Sequence, residues 1–140
     1  MSATALKPYF QEHLNALKLR EWKDGFNWEN NPSTILDKSY HLEFPRGYRD
    51  GAYDMATSDI RMEVTVRVFL KGFRNPADAI QSALAYWDAI TARLLATENR
   101  TGTVIKNVYY DSHQILPLSS SNDNVVVLEI TFSCFIIICI

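Results

Sequence analysis

Residues 60–70 alternate without a break. Ile60, Met62, Val64, Val66, Val68 and Leu70 fall on one side, and Arg61, Glu63, Thr65 and Arg67 on the other as far as Phe69. Successive side chains on a strand point to opposite faces, so the pattern specifies a strand with a core on one side only. It also pins the register, because a slip of one residue would turn the whole apolar set to solvent. A half-covered sheet needs a second layer, and the chain supplies two helical stretches to make one.

The first of these is predicted over residues 3–21. Leu6, Phe10, Leu14 and Leu17 recur at helical spacing, with Tyr9 and His13 beside them, and Pro8 is tolerable in a first turn. The second is predicted over residues 75–96. Asn75 stands at the cap, Pro76 at the first helical position and Asp78 in the first turn, where the helix dipole favours a negative charge. Its buried stripe reads as Ile80, Ala83, Leu84, Trp87, Ile90 and Leu94, and Gly102 follows beyond its end.

Between the helices, Asp24-Gly25 and Asn30-Asn31-Pro32 mark a loop, and Trp22, Phe26 and Trp28 predict that it packs down on the body. Tyr40, Leu42 and Phe44 alternate with Ser39, His41 and Glu43, a half-buried strand ending at Pro45. Residues 46–59 are polar and rich in turn formers, and read as a long hairpin loop with a functional role. After the second helix come a strand over 104–111, a turn-rich loop over 112–124 containing Pro117, and a last strand over 125–140. The order α-β-β-α-β-β predicts a single α+β domain spanning residues 1–140, with an antiparallel or mixed sheet and two helices.

The last strand is unusual. Glu129, Thr131 and Ser133 alternate with Ile130, Phe132 and Cys134, and then Phe135-Ile136-Ile137-Ile138-Cys139-Ile140 is apolar on both sides. A strand apolar on both faces is normally covered on both. Two arrangements achieve this: a central strand covered by a helix of its own chain, or a strand end covered by a neighbouring copy. Cys134 and Cys139 lie on opposite faces of such a strand and about 16 Å apart, too far for a disulfide, so both read as free thiols of a reducing cytoplasm. The apolar run is broken by Glu129, Thr131 and Ser133 and falls short of the ~20 residues of a spanning helix, and the N-terminal residues do not follow a secretory pattern.

Composition limits the remaining classes. Fourteen Lys and Arg against sixteen Asp and Glu give a net charge of -2, with 47% hydrophobic residues, as in ordinary globular domains and unlike chains that wrap nucleic acid by charge alone. Residues 45–74 carry six cations (Arg46, Arg49, Arg61, Arg67, Lys71, Arg74) against four anions (Asp50, Asp54, Asp59, Glu63), with Tyr48 and Tyr53 interleaved. This is a mixed surface compatible with transient, non-specific DNA contact. His13, His41 and His113 sit on separate elements, and Asp111-x-His113 is at best two ligands of a metal site. The five glycines form no phosphate loop, and no serine sits in a nucleophile elbow. No enzyme, metal or cofactor is expected.

The order of elements, the segment MEVTVRVFL at 62–70 and the helix DAIQSALAYWDAI at 78–90 resemble the tail terminator (tail completion) proteins of long-tailed bacteriophages, including the lambda-type minor tail protein of that role. The resemblance covers nearly the whole chain as a pattern of elements rather than an invariant motif. It implies a virion protein assembled in the host cytoplasm. Its subunits form a homohexameric ring that caps the tail tube, meets the head connector or stopper protein, and passes DNA through its lumen. On this reading the contact residues are Arg46, Arg49, Asp50 and Asp54 in the polar stretch and Phe135, Ile136, Ile138 and Ile140 in the strand end. Two other readings stand beside it: another head–tail connector or neck component, and a small α+β ligand-binding domain with a pocket lined by Trp22, Trp28 or Trp87.

Overall fold

The computed structural model describes residues 6–23, 25, 28, 35–45, 47–52, 57–96, 105–119 and 124–139. Its elements are α1 (Leu6–Ala16), β1 (Arg20–Glu21), β2 (Ser39–Glu43), β3 (Gly47–Ala52), β4 (Thr57–Phe73), α2 (Pro76–Leu95), β5 (Ile105–Ser119) and β6 (Asn124–Cys139). The strands form one six-stranded sheet in the order β1-β2-β4-β6-β5, with β3 also paired to β4. β1 runs parallel to β2 and every other pairing is antiparallel, so the fold is α+β with a mixed sheet. The spine is the long β4–β6 ladder, from Thr57 opposite Cys139 to Phe73 opposite Asn124. β2 pairs with the later part of β4 (Ser39 with Phe69, Glu43 with Thr65) and β3 with its earlier part (Gly47 with Met62, Ala52 with Ser58). The two short strands therefore lie end to end along one side of β4.

Both helices cover the same face. Val64, Val66, Val68 and Leu70 of β4 join Val126, Leu128, Ile130, Phe132, Cys134 and Ile136 of β6 in a core with Leu6, Phe10 and Leu14 of α1 and Ala79, Ala83, Ile90 and Leu94 of α2. Phe10 meets Phe132 at 5.9 Å between ring centroids. α2 begins where the local chemistry directs: the Asn75 side chain accepts a hydrogen bond from the Asp78 N–H at 2.9 Å.

Several expectations are corrected. α1 stops at Ala16 rather than near residue 21, because Lys18 takes a left-handed conformation (φ 65) and the Leu19 N–H turns back to the Leu14 carbonyl. Leu17 and Leu19 continue the apolar rhythm past that break and hide it. The stretch 46–59 is not one long loop, since it holds β3 and the start of β4. An edge strand is held by backbone bonds and tolerates polar residues and glycine, and a register shift between Arg49 and Gly51 absorbs the turn formers. The stretch 112–124 is likewise strand as far as Ser119, with Pro117 admitted because β5 ends the sheet. On α2 the buried row is Ala79, Ala83, Ile90, Thr91 and Leu94, while Ile80 and Leu84 are 37% and 39% exposed.

β4 is also not covered on one side only. Phe69 points away from the helices into a second, smaller core with Trp22, Trp28, Ile35, Val125 and Val127. Trp22 stands edge-on to Phe69 at 5.0 Å and Trp28 lies at 6.0 Å, so the segment after α1 does pack down. Asp24, Phe26 and residues 30–32 lie outside the described residues. Of the two covers available to the last strand, β6 takes the first as far as Ile136: it is central between β4 and β5, and Ile136 is fully buried within its own chain.

Candidate interaction surfaces

Beyond the Phe69 cluster, the sheet face opposite the helices is polar and built from rungs that cross several strands. Register places Arg67 of β4 beside Glu129 of β6. Its guanidinium contacts the Glu43 carboxylate of β2, and its Nε lies 3.4 Å from Glu129 Oε2, within ion-pair distance but not aligned for a hydrogen bond. One cation thus ties three strands and leaves this rung with an excess negative charge. The Thr65 and Thr131 hydroxyls meet at 3.4 Å along the same face.

A second rung lies towards the start of β4. Arg61 Nε donates to Ser133 Oγ at 3.2 Å, and Ser133 Oγ donates to Asp111 Oδ2 at 2.5 Å. Ser133 is only 2% exposed, so its hydroxyl is committed to these two partners. Asp111 reaches it because β5 shifts register between Tyr110 and Ser112, an extra residue that turns the carboxylate onto this face. Tyr109 stands edge-on to Phe135 at 5.4 Å and 88°. Arg61, Tyr109, Asp111, Ser133 and Phe135 line an open depression of about 340 Å³.

The third surface is the outer side of β5. This strand ends the sheet order, so among the described residues nothing pairs with its far side over Ile105–Ser119. Ile80, Leu84 and Trp87 share one flank of α2, and Trp87 carries that flank onto β5, with Tyr110 at 5.6 Å and His113 at 5.3 Å. The Tyr110 hydroxyl and His113 Nδ1 share a hydrogen bond. Trp87 Nε1 is buried without a hydrogen-bond partner among the described residues. An unpaired strand edge beside exposed aliphatic side chains is a surface that proteins ordinarily cover.

At the seam between the helices, Arg93 Nε donates to His13 Nδ1 at 3.0 Å, which requires the neutral imidazole with its proton on Nε2. Burial first, and then the Arg93 charge, hold His13 below its ordinary 6.5, while Glu12 acts in the opposite direction. The Tyr9 hydroxyl donates to the Leu94 carbonyl at 3.1 Å beside it. Tyr40, whose hydroxyl donates to Asn15 Oδ1 at 3.0 Å, is pushed up to about 12 by burial and by the Glu21 charge.

Of the residues expected to make contacts, those described lie towards one end of the sheet, since Arg49 of β3 and Ile136 of β6 both pair with Ile60 of β4. Arg49 and Asp50 lie on β3, and Arg46 and Asp54 are outside the described residues. Phe135 is half-buried on the polar face, Ile136 is in the core, Ile138 continues β6 opposite Ser58, and Ile140 is outside the described residues. Trp22 and Trp28 are core residues rather than pocket walls. Sequence reading missed the Arg61–Ser133–Asp111 rung. Arg61 and Ser133 stand on the polar side of their strands, but their meeting depends on pairing between segments 72 residues apart.

Among the described residues, no group of three or more His, Cys, Asp or Glu is placed to hold a metal ion, and no helix is long and apolar enough to cross a membrane. In comparisons with known proteins, no family model matches the chain and no curated relative does.

Proposed function

We propose that the protein is a ring-forming structural subunit of a bacteriophage tail, a tail terminator that caps the tail tube and joins it to the head connector. The observation that carries this reading is the β5 edge, unpaired among the described residues, with Ile80 and Leu84 exposed beside it. Among the described residues the far side of β3 is a second unpaired margin, and a head-to-tail contact between unlike margins builds a ring when its rotation closes, whereas a two-fold dimer needs like margins to meet. The α+β order that the family resemblance implies supports the same reading. The ring is proposed as a homohexamer, with the tube protein and the connector or stopper as its partners and DNA passing through. Another neck layer built from the same subunit contacts is the nearest alternative.

The test is the mass of the purified chain by light scattering, together with negative-stain imaging of tails to which it is added. Rings of about six copies that cap tube ends are the expected result. A monomer at high concentration that leaves tubes uncapped would overturn the proposal. Leu84→Asp places a charge on an exposed flank, so it should leave the fold intact and shift the mass towards the monomer.

A further inference from the structure

The depression on the polar sheet face has an unusual construction. The buried Ser133 hydroxyl stands between Arg61 and Asp111, accepting from one and donating to the other. This spaces a guanidinium and a carboxylate two hydrogen bonds apart on one wall. Ser133 uses one lone pair of Asp111, and an ionised carboxylate has about four acceptor sites. A bare cation would meet Arg61, and a bare anion would meet Asp111. The wall therefore suits a group that carries an acceptor and donors along a single edge.

The second wall is aromatic. Tyr109 is 51% exposed and meets Phe135 edge-on, which leaves an aromatic face for a flat partner. About 340 Å³ is at the small end of ligand pockets and has room for one heterocycle.

We propose that this depression binds a guanine base, its O6 accepting from the Arg61 guanidinium, its N1–H and N2–H donating to the Asp111 carboxylate, and its ring against Tyr109. Arginine pairs readily with guanine O6, and the two adjacent N–H groups match a carboxylate, whereas adenine offers the carboxylate a single donor. The inference is independent of the ring reading, because every atom it uses belongs to one chain. The same base chemistry is available from a free nucleotide or from an unstacked base of a single strand.

Calorimetric titration with GMP, with AMP and with single-stranded oligo(dT) carrying one central guanine or one central adenine tests it. Saturable binding of GMP or the guanine oligonucleotide, at least tenfold tighter than the adenine counterpart, is the expected result. GMP binding indicates a free-nucleotide site, and binding of the guanine oligonucleotide alone indicates a strand-borne base. Asp111→Asn keeps an acceptor for Ser133 but removes the charge, and should weaken binding at least tenfold in a protein that still unfolds cooperatively. Tyr109→Ala, at an exposed position, should weaken it as well. No binding by either guanine probe, equal binding of the adenine counterpart, or wild-type affinity in both variants would overturn the proposal.

Discussion

Replacing Ile136 by alanine separates the two ways in which the apolar end of the chain could be covered. Ile136 lies on β6 between Ile60 of β4 and Ile105 of β5, is fully buried, and belongs to the core beneath the helices. Truncation removes three carbon atoms. At about 0.8 kcal/mol for each buried methylene-sized group, the transfer loss alone is about 2.4 kcal/mol. The cavity left between two paired strands relaxes only partly, which brings the expected cost to about 2–5 kcal/mol. Urea unfolding followed by circular dichroism reads this as a lower midpoint with an unchanged slope. Because the cover is intramolecular, the loss relative to wild type should persist at the lowest protein concentration that can be measured. A cost below about 1 kcal/mol, or one that disappears on dilution, would refute the placement of Ile136 in the core of its own subunit.

Two further perturbations test local features. The folded state holds His13 below 6.5, so the unfolded chain binds more protons as the pH falls. His13's stabilising contribution is complete above 6.5 and is lost as the pH drops from there through the depressed folded value, so melting temperature should fall over that range. In His13→Gln, which does not titrate, the slope should be flatter. Parallel curves for the two proteins would remove His13 as the cause. Asn75→Ala removes the acceptor for the Asp78 N–H and should cost about 1 kcal/mol in chemical unfolding, whereas Asn75→Ser should restore most of it.

What the sequence made legible follows from how local each determinant is. The start of α2 is written within four residues, Asn75 to Asp78, and the structure places the cap there. β4 is legible because its alternation exceeds the length of any competing pattern. β3 and the outer half of β5 are not, because backbone bonds hold edge strands and place few demands on side chains; Ser112, His113, Gln114 and Pro117 look like a loop until β6 is seen beside them. The loss of alternation after Cys134 was legible as a need for cover, but what supplies it was not. Ile136 turns to the helices and Phe135 to Tyr109, and both neighbours come from distant segments. The polar rungs were illegible for the same reason. Arg61 and Ser133 meet only through the β4–β6 register, and Asp111 reaches them only through a shift in β5 that no residue type announces.

The two apolar regions differ: β6 is buried within its own chain from Val125 to Ile136 apart from the half-buried Glu129, Thr131 and Phe135, and the ring proposal puts another copy on the β5 edge with the α2 flank. Backbone hydrogen exchange of the wild type and of Leu84→Asp, compared segment by segment, tests that difference most directly. Slow exchange is expected across Asn124–Cys139 in both proteins, and protection of Ile105–Ser119 beyond that of a bare edge in the wild type alone. Equal exchange of Ile105–Ser119 in the two proteins, or loss of protection in Asn124–Cys139 when the assembly is broken, would contradict it.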